Sequence, residues 1–165
     1  MILIGLGGNL DSARFGAPRD TLSAAFAVLQ AERIGILARS GWYRSEPVPH
    51  LDQPWFVNAV ASLATELGAC GLLAVLQDVE RRFGRVPGER NAARVLDLDL
   101  LDYCGEVRET PMLVLPHPRL HKRRFVLAPL AEIAPDWRHP LLGLTAGQLL
   151  ARVATEQQPI ERLPC

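Results

Sequence analysis

Apolar residues recur along this chain with two periods, and the order in which those periods alternate leaves few folds open. Residues 1–6 form a short apolar run that ends among Gly5, Gly7 and Gly8, the pattern of a buried strand stopping where the backbone turns or comes close to something else. Residues 20–31 carry Leu22, Phe26 and Leu29 at helical spacing, with Asp20 or Thr21 as the expected cap. Residues 34–44 alternate at Ile34, Ile36 and Ala38 and predict one strand. A loop over 45–54 holds Pro47, Pro49 and Pro54. Residues 56–65 then alternate again, with Val57, Ala59, Ala61 and Leu63 on one face and Phe56, Asn58, Val60 and Ser62 on the other. Leu72, Leu76, Val79 and Phe83 make a helical stripe within 71–83, a loop covers 84–93, and 95–103 reads as a strand. A short strand at 112–115 ends at Pro116, and a last helix is expected near 145–153. The order β-α-β-β-α-β followed by an appendix is that of a ferredoxin-like α+β sandwich, an antiparallel sheet with two helices on one face and a C-terminal extension.

With 165 residues, 48% of them hydrophobic and 22% charged, the chain has the size and composition of one globular domain, expected to span 1–165. Eighteen Lys plus Arg balance eighteen Asp plus Glu, so the molecule has no global attraction for nucleic acid or an anionic membrane, and any anion site must be local. Cys70, Cys104 and Cys165 are an odd set without a CxxC pair, which excludes a disulfide framework or a cysteine zinc site and suits a reducing cytoplasm. The first residues lack the basic start of a signal peptide, and no apolar run approaches the ~18 residues of a membrane span. A cytoplasmic monomer with no nucleic-acid or membrane partner is the expectation.

The chemistry is densest in Arg94-Val95-Leu96-Asp97-Leu98-Asp99-Leu100. On a strand, Asp97 and Asp99 share one face while Leu96, Leu98 and Leu100 share the other. Two carboxylates ~7 Å apart repel unless something positive lies between them. Hard oxygen ligands so placed suit Mg²⁺, which takes one or two carboxylates and completes its shell with water and phosphate. Alternation of this kind is also what any half-solvated strand shows. Its surroundings favour a site: Arg81, Arg82, Arg85, Arg90 and Arg94 precede it, and Arg119, Lys122, Arg123 and Arg124 follow His117, which is framed by Pro116 and Pro118. Metal and guanidiniums together are the usual apparatus for a nucleoside triphosphate. No P-loop, kinase glycine loop, dinucleotide fingerprint or nucleophilic triad is present.

The combination resembles the 6-hydroxymethyl-7,8-dihydropterin pyrophosphokinase family. It is carried by Arg94-x-Leu96-Asp97-Leu98-Asp99, by the run from Pro116-His117-Pro118 through Arg123-x-Phe125 to Glu132-Ile133-Ala134-Pro135, and by Gly5-Leu6-Gly7-x-Asn9-Leu10. Tyr43-Arg44-Ser45, Asp52-Gln53-Pro54-x-Phe56-x-Asn58-Ala59 and Glu80-x-x-x-Gly84-Arg85 extend it in the same order. The resemblance implies transfer of the β,γ-pyrophosphoryl group of ATP to the pterin hydroxymethyl, with release of AMP, in folate biosynthesis. It implies two Mg²⁺ held by Asp97 and Asp99, a catalytic set of Arg85, Arg94, Asp97 and Asp99, and ATP contacts from Gln77, Glu80, Arg94, Leu100, His117 and Arg123. Ser45, Val48, Phe56, Asn58 and Phe125 match pterin positions; a flat heterocycle is suited by the two aromatic faces and by an amide that both donates and accepts.

The chain departs from the family at Arg90-Asn91-Ala92-Ala93-Arg94, where Trp-Gly-Pro commonly stands between the arginines. That tryptophan is a lid over the pterin, and Asn91 has no aromatic face to offer. Pro87 stands where an arginine is common, and Gly8 replaces the usual serine. Two other readings stay open on residues alone: a Mg-ATP phosphotransferase for another small hydroxyl, and a non-catalytic ferredoxin-like module whose acids form a solvated face.

Overall fold

The computed structural model describes residues 1–86, 88 and 92–164. Strand β1 (Ile2–Gly8) lies at the centre of an antiparallel sheet, between β5 (Asp97–Tyr103) and β4 (Phe56–Ala64). β2 (Gly35–Arg39) and β3 (Tyr43–Ser45) both pair with β4, and β8 (Ile160–Arg162) adds to β3. Helices α1 (Pro18–Ala31) and α2 (Ala69–Arg82) complete the expected β-α-β-β-α-β order. A separate small hairpin is made by β6 (Arg108–Glu109) and β7 (Val114–Leu115).

Alternation sorts the sheet into two faces. Ile2, Ile4, Leu6, Ala59, Ala61, Leu63, Leu96, Leu98 and Leu100 point to α1 and α2 and form the larger core with Leu22, Phe26, Leu29, Leu72, Leu76 and Val79. Leu3, Val60 and Leu101 point the other way, against α3 (Arg124–Ile133) and α4 (Ala146–Leu150), with Trp137 closing the second core. The two helices of the ferredoxin-like order share one face as expected, and the C-terminal extension lays a second helical layer over part of the opposite face. The part it leaves open holds the site.

Three further differences from the sequence reading have local causes. Helix α1 starts earlier than expected, with Ala17 at its N-cap and Pro18 in the first turn; Asp20 lies inside that turn, where its charge suits the helix dipole. The single strand expected over 34–44 is two. Ser40 interrupts it, its hydroxyl accepting the Val60 N–H at 3.0 Å and donating to the Gly41 carbonyl at 2.8 Å, while Trp42 turns into the larger core beside Phe26. In β5, the register against β1 shifts between Leu3 and Ile4, so that Leu101 is extra. Asp102 is thereby opposite Leu3, on the same face as Asp97 and Asp99. The last helix keeps its expected start: Thr145 and Gln148 form a capping box. No helix among the described residues is long and apolar enough to cross a membrane.

Candidate active site

The register places the site. Asp97 pairs across to Gly7 and Asp99 to Gly5, and Gly7 pairs in turn to Asn58. Two glycines thus separate the acidic strand from the strand carrying the amide, and the absence of side chains on β1 leaves a trough across the face. A Cβ on Gly7 would lie 3.1 Å from Asn58 Oδ1, tighter than ordinary packing. One on Gly8 would lie 2.4 Å from the Val95 carbonyl oxygen, which requires backbone movement. Gly8, where the family commonly has serine, is required by this close approach.

The trough opens into a cavity of about 270 Å³. Ser45, Val48, Phe56, Asn58, Arg85, Arg94, Asp97, Asp99, Arg123 and Phe125 all line it, bringing the catalytic and pterin residues expected from the sequence to one place. Its two ends differ. At the acidic end, Asp97 Oδ1 accepts from Arg85 Nη1 at 2.8 Å and from Arg94 Nη1 at 2.7 Å. Arg85 also binds Glu80, whose carboxylate accepts the Leu98 N–H at 2.7 Å. Burial pushes the Glu80 carboxyl up to about 7, against the Leu98 N–H and the Arg85 guanidinium, which hold it down. Asp99 is pushed up to about 6 by burial and by the charge of Asp97, with Arg123, Arg94 and Arg85 opposing. Arg123 Nη1 stands 3.5 Å and His117 Nε2 3.8 Å from Asp99 Oδ2.

His117 is neutral by construction. Burial, then Arg123 and Arg119, lower it to about 4. Its Nδ1 accepts the Arg119 N–H at 3.2 Å, which leaves Nε2 to carry the proton toward Asp99. At the other end, Asn58 Nδ2 donates to Ser45 Oγ at 2.8 Å in a buried pair. Phe125 lies under the Arg123 guanidinium, 5.4 Å from ring centroid to Cζ, so one turn of chain serves both ends.

The structure sets some expected residues apart. Leu100 is 4% exposed in the larger core, so its side chain cannot reach a nucleotide and only its backbone remains for one. Gln77 is exposed on α2 and off the cavity wall. Glu80 is buried, and its Oε1 accepts from both Arg85 and the Leu98 N–H. Asn91, Pro87 and Arg90 lie outside the described residues. One residue the motifs contained without a role is Asn9. Buried, it donates to Gln53 Oε1 and the Pro54 carbonyl, both at 2.9 Å, and accepts the Arg94 N–H at 2.8 Å. It joins the loop before β4 to the backbone of Arg94, and its signal in sequence is its place in the Gly5-Leu6-Gly7-x-Asn9-Leu10 motif, a polar residue directly after a glycine-rich strand.

Asp97 and Asp99 fit a hard divalent cation. Both are carboxylates on one face, both open to the cavity, and no cluster of three or more acid, histidine or cysteine ligands exists among the described residues to complete a protein-only cage. Two carboxylates with phosphate and water supplying the rest is how Mg²⁺ is held.

Charge at one end of the cavity and an amide-lined aromatic slot at the other define a transferase that brings a phosphorylated donor to a flat acceptor. The chain belongs to the 7,8-dihydro-6-hydroxymethylpterin-pyrophosphokinase (HPPK) family, whose model matches residues 3–135. It is 43% identical over 161 residues to the 2-amino-4-hydroxy-6-hydroxymethyldihydropteridine pyrophosphokinase of Methylorubrum extorquens, covering 97% of this chain and 96% of that one. Its identity to the enzyme of the same name from Synechocystis is 40% over 152 residues, 92% of this chain and 75% of the other. Among solved structures, wild-type Plasmodium falciparum HPPK-DHPS with pteroate matches the fold with a TM-score of 0.70 at 13% identity, over 92% of this chain and 42% of that one.

Proposed function

We propose that this chain transfers the pyrophosphoryl group of ATP to 6-hydroxymethyl-7,8-dihydropterin, forming AMP and the pterin pyrophosphate for folate synthesis, with the roles divided between the two ends of the cavity. The observation that supports the division is the pairing of Asp97 and Asn58 across Gly7, which sets a carboxylate and an amide on one face of one sheet.

Asp97 and Asp99 would hold Mg²⁺, two ions in this reading; when bound, they neutralise charge on the triphosphate. Arg85 and Arg94 each have N–H groups left over after binding Asp97, and those groups meet phosphate oxygens in the fixed fork that suits them. Arg123 stabilises the far side of the same charge. His117 enters as a neutral N–H donor, which orients a phosphate or Asp99 without adding a proton that could be lost. At the other end, Phe56 and Phe125 cover the pterin ring and the Asn58–Ser45 pair reads its edge. The pterin hydroxyl oxygen bonds to the β-phosphorus as the bond from that phosphorus to the α-phosphate oxygen breaks; AMP keeps that oxygen, and the hydroxyl proton is released to solvent. No protein nucleophile takes part; the residues position the hydroxyl in line and offset charge.

Product analysis tests this. Incubated with ATP, Mg²⁺ and the hydroxymethyldihydropterin, the protein gives AMP and pterin pyrophosphate in equal amounts. Release of ADP, or equal turnover without metal, contradicts it.

A further inference from the structure

The family match ends at residue 135, yet the chain beyond it returns to the site. β8 pairs with β3, setting Ile160 opposite Ser45 and Tyr43 opposite Arg162. Just before β8, Gln158 is half-buried while Thr155, Glu156 and Gln157 are exposed. Its side-chain amide makes two bonds: Oε1 accepts the Arg124 N–H at 2.9 Å, and Nε2 donates to the Lys122 carbonyl at 2.8 Å.

Those two bonds straddle Arg123. Arg123 is the N-cap of α3, and no side chain of the helix caps it. The first N–H groups of a helix have no partner inside the helix, so an unsupported start frays. Gln158 supplies the missing acceptor from the far end of the chain and grips the carbonyl on the other side of Arg123. The same turn is tied from a second direction, since Arg124 Nη1 donates to the Val153 carbonyl at 2.8 Å. What the turn carries is functional: Arg123 reaches Asp99 at the phosphate end, and Phe125 lines the pterin end.

We infer that Gln158 is a positioning residue for the reaction, its side-chain amide fixing the turn that presents Arg123 to the phosphates and Phe125 to the pterin. The inference rests on the proposed reaction. Gln158 is not among the residues that line the cavity, so its effect must appear in how well both substrates bind. A residue that only stabilised the fold would change the amount of active protein, lowering the maximal rate and leaving KM alone.

The experiment is steady-state kinetics of Gln158→Leu in the full-length chain beside wild type, with the melting temperature of each. Because a misplaced binding group commonly costs tenfold or more, KM for ATP and for the pterin should each rise by about tenfold. The melting temperature should fall by only about 2–4 °C, as loss of one modest interaction does in a domain of this size. If Gln158→Leu does not fold, Gln158→Asn carries the same test, because it keeps the amide and falls one methylene short of both partners. Unchanged KM values in a folded variant overturn the inference whatever the maximal rate does. A wild-type protein that releases no AMP overturns the proposed reaction instead, so the two failures are separable.

Discussion

Strand β5 carries three aspartates on one face, and they live in opposite conditions. Asp97 and Asp99 open into the cavity and face guanidiniums. Asp102 is 2% exposed; it accepts the Trp137 indole N–H at 2.8 Å and the Gly105 N–H at 3.1 Å, both neutral donors. Open carboxylates facing guanidiniums have lone pairs to spare for a metal and its phosphates. A buried carboxylate with fixed neutral donors has spent its oxygens on holding the segment after α3 and the β5–β6 turn in place. In the proposed function the same side chain on the same strand serves the reaction at one end and the fold at the other, and surroundings alone decide which.

Substitutions can break that contrast. Asp97→Ala and Asp99→Ala should each lower kcat by at least ~10³-fold, the scale on which loss of a preorganised charged group acts, with melting temperature within a few degrees of wild type, because relief of carboxylate repulsion offsets the partly exposed ion pairs that are lost. AMP release and thermal melting measured on the same samples check both halves. Asp102→Ala should do the reverse: the buried Trp137 indole N–H and the part-buried Gly105 N–H lose their acceptor, which costs about 2–3 kcal/mol of stability. Its kcat/KM at low temperature should stay within a few-fold of wild type. A large kinetic loss in a folded Asp102→Ala protein would erase the distinction. Asn58→Ala should raise KM for the pterin by about tenfold, since the Ser45 hydroxyl and the pterin edge lose a partner worth on the order of 1 kcal/mol, while KM for ATP stays put; a titration of each substrate separates them.

The smallest effect lies at the buried end. His139, 4% exposed, accepts the Leu141 and Leu142 N–H groups on Nδ1, and among the described residues its Nε2 has no hydrogen-bond partner. Burial lowers its pKa, the neighbouring His121 lowers it further, and Asp102 opposes them. The folded state therefore binds fewer protons than the unfolded one below the ordinary histidine range, and this contribution to stability is lost as pH falls below about 6.5. Urea midpoints at pH 7 and pH 5 should differ by less in His139→Asn than in wild type, and equal slopes would contradict the assignment.

Much of the acidic end was legible in the sequence because a strand's period of two sorts Leu96, Leu98 and Leu100 from Asp97 and Asp99 with no further information. The same logic fails at Asp102, which alternation groups with the core leucines; the bulge at Leu101 moves it, and a bulge leaves no trace in hydrophobic pattern. Helix α3 was missed because Pro129 sits inside it and its start has no capping side chain, so both ordinary helix signals are absent. Leu100 was expected at ATP from family position, yet its side chain belongs to the core. Asn9 and Gln158 act through bonds to distant backbone, which no local window contains.

The most direct test of the account labels the β-phosphorus of ATP and follows it in wild type and in Asp97→Asn together. In wild type the label should appear in the pterin product, with unlabelled AMP released beside it. In Asp97→Asn, which should melt like wild type, the label should stay in ATP. Label recovered in ADP would contradict the reaction, and an Asp97→Asn protein that transfers as well as wild type would contradict the place assigned to it.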